Sequence, residues 1–152
     1  MRLRSGLQCH QEGDAIRPRR MDVTTAATPQ EARELRVRFE HWLRGTGVAV
    51  TVAEDLGLAL YEALANAAEH AYDPEHPAPT MRLLAQLDRD DVMIWVIDQG
   101  RWLPPGEPRY RGRGLALMRH LTTDVHIEPS AQGTIVHLRA HVGVKDGSAM
   151  PN

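Results

Sequence analysis

The sequence has a single cysteine, Cys9, among its 152 residues. One cysteine cannot form an intramolecular disulfide or supply a cysteine-based zinc cluster, and a lone thiol predicts a reducing, cytoplasmic location. No uninterrupted apolar stretch approaches the roughly 20 residues that span a bilayer, and the N-terminus lacks the hydrophobic segment of a signal peptide. We therefore expect no disulfide, no membrane anchor and no export.

The sequence also lacks a strong excess of charge. The formal net charge of −2 argues against a general nucleic-acid-binding surface, and the eight histidines show no metal-ligand spacing. Two familiar nucleotide motifs are missing as well: there is no Gly-x-x-x-x-Gly-Lys-Ser/Thr pattern and no Gly-x-Gly-x-x-Gly after a strand. Direct DNA binding, a dedicated zinc or iron site, a P-loop and a Rossmann site are therefore not expected.

What the sequence does contain is the composition of a globular domain, with 42% hydrophobic and 25% charged residues. The length fits one domain with one hydrophobic core. Residues 1–19 mix charge, glycine and proline without a period, and residues 142–152 are rich in polar residues and glycine. We therefore expect a folded domain over residues 20–141 between two flexible tails.

The hydrophobic pattern predicts a strand, two helices, two strands, a loop followed by a helix, and two final strands. The first helix begins after Thr28, a suitable N-cap, and ends near Gly45; the second runs from about Thr51 to Tyr72. The strands are expected at residues 21–27, 80–87, 92–97, 124–128 and 134–140. This order favours an α/β two-layer sandwich, with helices on one face of a mixed, mainly antiparallel sheet.

Two short motifs could carry chemistry on the helical layer and at a strand end. Glu62 and Asn66 lie four positions apart on the polar side of the second helix, where a carboxylate can accept a proton and an amide oxygen can coordinate Mg²⁺. Asp98 and Gly100 follow an apolar strand and place an acceptor-only carboxylate beside a residue that permits close approach. Taken singly, a glutamate and an asparagine on a helix are more often part of a solvated face, and an Asp-x-Gly is more often an ordinary turn.

A third motif precedes the last predicted helix. Gly112 and Gly114 would let backbone N–H groups approach a phosphate at the helix N-terminus, and Arg111 and Arg113 add positive charge. A glycine hinge with solvated arginines explains this segment equally well when it is judged alone.

The order of the motifs is more specific than any one of them. The segments YEALANAAEHAY, IDQG, RGRGLALM and QGT together resemble the ATP-binding signatures of the GHKL superfamily, which contains gyrase, histidine kinases and mismatch-repair ATPases. The compact length, the E-A-x-x-N-A-x-x-H-A-Y form and the GRGLALM segment look like the bacterial anti-sigma-factor serine/threonine kinases. The resemblance covers roughly residues 20–141. It implies a Bergerat-type sandwich that binds ATP and Mg²⁺ between the helical layer and a lid loop.

The same resemblance implies a role for each residue of the first two motifs. Glu62 would take the general-base position and Asn66 the Mg²⁺-binding position. Asp98 would contact the adenine amino group, and Gly100 would keep that pocket close-packed. Thr134, in the QGT segment, would support the adenine end directly or through water.

For the third motif, the resemblance implies that Gly112 and Gly114 lie along the phosphates, with Arg111 and Arg113 as secondary candidates for phosphate contacts. The loop between Gly100 and Gly112 departs from the family pattern, because it is short, contains three prolines and places Arg111 where several relatives have a small residue. The lid contacts are thus the least determined part of the predicted site.

The function implied is a kinase that transfers the γ-phosphate of ATP to a serine or threonine of a STAS-type anti-anti-sigma protein. Such a kinase would also sequester a sigma factor and could form a homodimer. Two alternatives stay open: a nucleotide-binding anti-sigma or phosphatase-regulating module without kinase activity, and a detached histidine-kinase-type ATP-binding domain. Intact Glu62, Asn66 and Asp98 count against the first, and the lack of a recognisable phosphoacceptor helical pair counts against the second.

Overall fold

The computed structural model describes residues 19–69, 71–72, 75–100 and 113–143. The helices of this part are α1 (Pro29–Gly45), α2 (Val50–Glu69) and α3 (Gly114–Leu121). The strands are β1 (Arg20–Ala26), β2 (Thr80–Asp88), β3 (Asp91–Asp98), β4 (Asp124–Ser130) and β5 (Gly133–His141). The predicted order of elements is confirmed, whereas the two predicted tails fall almost wholly outside the described residues and stay predictions.

Hydrogen bonds between residues close in sequence define the start of α1 and the end of α2. Thr28 caps α1 as predicted, because its Oγ1 accepts a hydrogen bond from the Glu31 backbone N–H at 3.2 Å while Pro29 occupies the first turn. α2 ends at Glu69, earlier than the predicted Tyr72. Its end is closed by the Ala71 N–H, which donates to the Asn66 carbonyl five residues back at 3.0 Å and so leaves the helical pattern.

The five strands form one sheet in the order β1-β2-β3-β5-β4, and the three helices pack on one of its faces, as the two-layer prediction required. Every pairing between described strands is antiparallel, so this part of the sheet is not mixed. β3 is central and pairs with both β2 and β5. Its register sets Asp98 opposite Thr134.

The core lies between α1, α2 and the inner face of the sheet. The alternation of β3 buries Val92, Ile94, Val96 and then Asp98 on the face that meets the helices. The predicted apolar side of α2 is buried, but Asn66, which was expected on the polar side, is buried too. The reason is that α2 contacts α1, α3 and the sheet, which leaves it little open surface. No described helix has the length and apolarity to cross a membrane.

Candidate functional site

Asp98 lies at the end of the central strand with its side chain directed into the sandwich. Only 4% of it is exposed, and its Oδ1 accepts a hydrogen bond from the Gly100 backbone N–H at 2.8 Å. Burial raises the pKa of this carboxyl above its ordinary value, while hydrogen bonds from the Gly100 and Thr134 backbones oppose the shift. The strand therefore presents a buried acceptor that is fixed by backbone contacts.

Two glycines allow this turn to pack closely. A Cβ on Gly100 would lie 1.9 Å from the Ala71 carbonyl oxygen, so only glycine lets the chain after β3 pass the end of α2. Gly133 has φ of +139°, and a Cβ there would lie 2.0 Å from the Asp98 carbonyl oxygen. Gly100 therefore allows a close contact between the Asp98 turn and Ala71, just after α2.

Two buried polar atoms in the predicted site have no hydrogen-bond partner among the described residues: Oδ1 of Asn66 and Oγ1 of Thr134. Their residues are 7% and 1% exposed, respectively. A buried polar atom without a partner costs free energy, so such atoms call for a ligand, an ion or water. Of the three such side-chain atoms in the described part, two belong to residues that the sequence marked as ligand contacts.

Glu62 lies against the beginning of α3. A Cβ on Gly114 would come 2.9 Å from Glu62 Oε2, so the glycine leaves room for the carboxylate at the helix N-terminus. Burial raises the pKa of Glu62, and the negative charge of Glu69 raises it further. A half-buried carboxylate with a raised pKa is a stronger proton acceptor than an ordinary glutamate.

The phosphate motif is described only in its second half. Arg111 and Gly112 lie outside the described residues, as does the proposed lid. Arg113 is the exposed N-cap residue of α3 and makes no side-chain capping bond there, and Gly114 opens the helix beside Glu62. The sequence motifs therefore meet in two contacts, Glu62 with Gly114 and Gly100 with the end of α2.

The donor chemistry of Asn66 fits a magnesium ion. The free Oδ1 of Asn66 is a hard oxygen donor, and Mg²⁺ is typically held by one or two protein oxygens together with substrate phosphates and water. No group of three or more histidine, cysteine or acidic side chains suited to a metal occurs in residues 19–69, 71–72, 75–100 and 113–143. The Asn66 oxygen therefore suits a cation that arrives with a nucleotide and keeps most of its ligands from phosphate and water.

Tyr72 is a supporting residue that sequence reasoning missed. Its hydroxyl donates to the Thr80 carbonyl oxygen and accepts from the Gln99 backbone N–H at 2.8 Å. The hydroxyl thereby ties the start of β2 to the turn that follows Asp98. The signal was present, because Tyr72 ends the YEALANAAEHAY segment, but it was interpreted as the end of a helix and as part of the family motif, without a role of its own.

We expect Tyr72→Phe to lower the free energy of unfolding by about 1–2 kcal/mol, because two backbone groups lose their shared partner. Nucleotide affinity should fall with it, since the Asp98 turn is then held less firmly. Urea denaturation and nucleotide titration measure the two effects. Tyr61→Phe, the same change on the half-buried tyrosine of α2, is the matched control. Wild-type stability and affinity in Tyr72→Phe would exclude the supporting role.

Comparison with known proteins gives the family. The pattern of the histidine kinase-like ATPase domain matches residues 25–140. The chain is similar to the RsbU and RsbW domains of Rv1364c from Mycobacterium tuberculosis, with 28% identity and a TM-score of 0.67 over 81% of this chain and 32% of that chain. It is also similar in fold to the histidine kinase domain of the Erythrobacter litoralis EL346 blue-light activated histidine kinase, with 20% identity and a TM-score of 0.54 over 77% of this chain and 61% of that one.

The chain spans less than two thirds of the length of either solved structure. The family pattern, in contrast, covers most of the described domain, from β1 to the end of β5. The GHKL-type fold predicted from the motifs is therefore confirmed, and the chain belongs to the histidine kinase-like ATPase domain family.

Proposed function

We propose that this chain binds Mg²⁺-ATP and is a serine/threonine protein kinase that phosphorylates a STAS-type anti-anti-sigma protein and sequesters a sigma factor. The observation that carries the proposal is the pair of buried, unpartnered oxygens on Asn66 and Thr134, which lie on the two elements that flank Asp98. The similarity to a chain with RsbU and RsbW domains supports a partnership with anti-sigma-factor regulators. A cytoplasmic location and a homodimer belong to the same proposal.

At the adenine end, Asp98 would accept a hydrogen bond from the exocyclic amino group, and Thr134 would use its free hydroxyl directly or through water. Burial makes Asp98 selective for a base that carries an amino group. A base without one leaves the desolvated carboxyl without a hydrogen-bond donor, and this costs free energy. Gly100 would keep the pocket narrow, since no side chain fits between this turn and Ala71.

At the phosphate end, Asn66 would hold Mg²⁺, which neutralises charge on the phosphates when bound. Gly112 and Gly114 would approach the phosphates through their backbone N–H groups, with Arg111 and Arg113 as additional contacts. In the transfer step, the acceptor hydroxyl oxygen forms a bond to the γ-phosphorus while the bond to the β,γ-bridging oxygen breaks. Glu62 would take the hydroxyl proton, and ADP leaves.

Incubation with γ-labelled ATP, Mg²⁺ and a candidate STAS protein tests the function. We expect label on the STAS protein as an acid-stable phosphoserine or phosphothreonine, and no label when Mg²⁺ is chelated. Sigma-factor binding without any transfer would favour the binding module without kinase activity. An acid-labile phosphohistidine on a partner would favour the detached histidine-kinase-type domain.

A further inference from the structure

A groove of about 450 Å³ lies between the start of β1 and the C-terminal half of α1. Four basic side chains line it: Arg20 from β1, and Arg38, His41 and Arg44 from α1. All of these side chains are exposed. The groove is separate from the candidate nucleotide site, which is built on α2, α3 and the adjoining ends of β3 and β5.

The floor of the groove is apolar. Met21 is almost fully buried and Trp42 half-buried, whereas Val37 is 63% exposed. Val37 and Val50 are the exposed large hydrophobic residues of the described part, and only Val37 lies in this groove. A single exposed valine is ordinary, but one that adjoins an aromatic side chain in a concave surface offers contact to an apolar side chain of a partner.

None of the described residues that line the groove is acidic, so the charges of Arg38 and Arg44 are not neutralised within it, whereas Arg20 forms an ion pair with Asp22. Asp22, the carboxylate next to Arg20 on β1, is engaged by Arg82 at 2.8 and 2.9 Å and lies 3.8 Å from Arg20. Arg44 Nε donates to the Glu40 backbone carbonyl, which carries no formal charge. The groove is therefore a local cationic surface on a chain whose formal net charge is −2.

The groove opens along an edge of the sheet. β1 is the first strand in the sheet order and, among the described strands, pairs only with β2. The free edge of such a strand presents backbone N–H and C=O groups that can pair with an added strand. Arg20 and Met21 belong both to this edge strand and to the groove.

We propose that the groove binds an acidic, extended protein segment that pairs with the free edge of β1 and packs an apolar side chain against Val37 and Trp42. Successive side chains of an added strand point to opposite faces of the sheet, whereas the groove residues of α1 all lie on one of those faces. The segment therefore needs both acidic and apolar residues among the side chains that face α1, which occupy every second position. Charge complementarity selects an acidic partner, and the edge selects an extended one. The inference does not rest on nucleotide binding.

The probe is a fluorescein-labelled peptide of about six residues, the length of an ordinary strand. Glutamate and valine take turns at every second position, and threonine fills the positions between them. Fluorescence anisotropy with the full chain should show saturable binding that weakens as salt is raised. The double variant Arg38→Glu/Arg44→Glu should bind about tenfold or more weakly, as expected for the loss of charge-assisted hydrogen bonds. Hydrogen exchange of the β1 amides should slow when the wild type binds the peptide.

Matched controls separate the groove from general charge effects. Arg33→Glu makes one such charge reversal on an exposed arginine of α1 outside the groove and should leave peptide binding unchanged, whereas Arg38→Glu alone, the matched single reversal in the groove, should weaken it. A lysine and valine peptide should not bind the wild type. ATP affinity should be the same in all variants, so a failure of the nucleotide proposal would be recognised separately.

Three results would overturn the inference. The first is no saturable binding of the acidic peptide, or equal binding by the double variant. The second is peptide binding only after deletion of residues 1–18, which would assign the groove to the chain's own N-terminal segment. The third is a dimer in sedimentation that the double variant dissociates while the peptide fails to bind, which would assign the groove to a second copy.

Discussion

Glu62→Gln is expected to lower phosphate transfer by about 10²- to 10⁴-fold, the usual contribution of a general base, while ATP remains bound. Glutamine keeps the size of the side chain and its place beside Gly114, but it cannot accept the hydroxyl proton. Single-turnover transfer of label from ATP measures the loss, and a separate nucleotide titration measures binding. Glu54→Gln, the same change at an exposed position on α2, is the matched control.

The dependence of the rate on pH distinguishes a proton acceptor from a structural carboxylate. Burial and the charge of Glu69 raise the pKa of Glu62, so the carboxylate form is lost as pH falls through a value above the ordinary one for glutamate. The wild-type rate should fall with it. Glu69→Gln should move this limb to lower pH, because one of the two causes of the raised pKa is removed. Full transfer by Glu62→Gln at any pH would remove Glu62 as the base.

Asp98→Asn is expected to weaken ATP binding by about 10- to 100-fold, because a hydrogen bond to a charged acceptor contributes about 1.5–3 kcal/mol. The wild-type carboxylate accepts from the backbone N–H of Gly100 through one oxygen, at 2.8 Å, and has a second oxygen for another donor. If the single oxygen of asparagine keeps this bond, its NH₂ group replaces the second acceptor with a donor. Isothermal titration with a non-hydrolysable ATP analogue measures the change. Asp91→Asn, at the opposite end of β3 in an ion pair with Arg139, is the matched control.

Base selectivity is the more specific readout for Asp98. The wild type should prefer ATP over inosine triphosphate, which lacks the exocyclic amino group, and Asp98→Asn should narrow this preference. An equal loss of affinity for both nucleotides would mean that the substitution disturbs the turn rather than the recognition of adenine. Unchanged ATP affinity would remove Asp98 from the adenine site.

Several elements of the fold could be predicted because their causes are local. Thr28 and Pro29 specify the start of α1 through contacts within one helical turn. The alternation of β3 sets the side of the sheet on which Asp98 lies, since parity along a strand is a property of the sequence. The order of the motifs led to the family, which the match over residues 25–140 confirms.

Other features of the candidate site depend on contacts between distant segments. The hydroxyl of Tyr72 bridges Thr80 and Gln99, and no local sequence pattern predicts either hydrogen-bond partner. The burial of Asn66 was missed because helical periodicity predicts only which residues share a polar side of the helix. It does not predict that α1, α3 and the sheet together cover most of α2, including part of that side. The predicted phosphate contacts of Arg111 and Gly112 lie outside the described residues and stay predictions.

The sequence by itself determined the types of chemical group, their order along the chain and, for β3, the face of the sheet on which Asp98 lies. Only the tertiary structure decided which groups meet: Glu62 with the first residue of α3, Gly100 with the end of α2, and Asp98 with Thr134 across two strands. The physical reason is that propensity, capping and alternation act over a few residues, whereas strand register and helix packing are set by the whole core. The basic groove on β1 and α1 is likewise a product of packing, since its residues come from two elements that the sequence pattern does not connect.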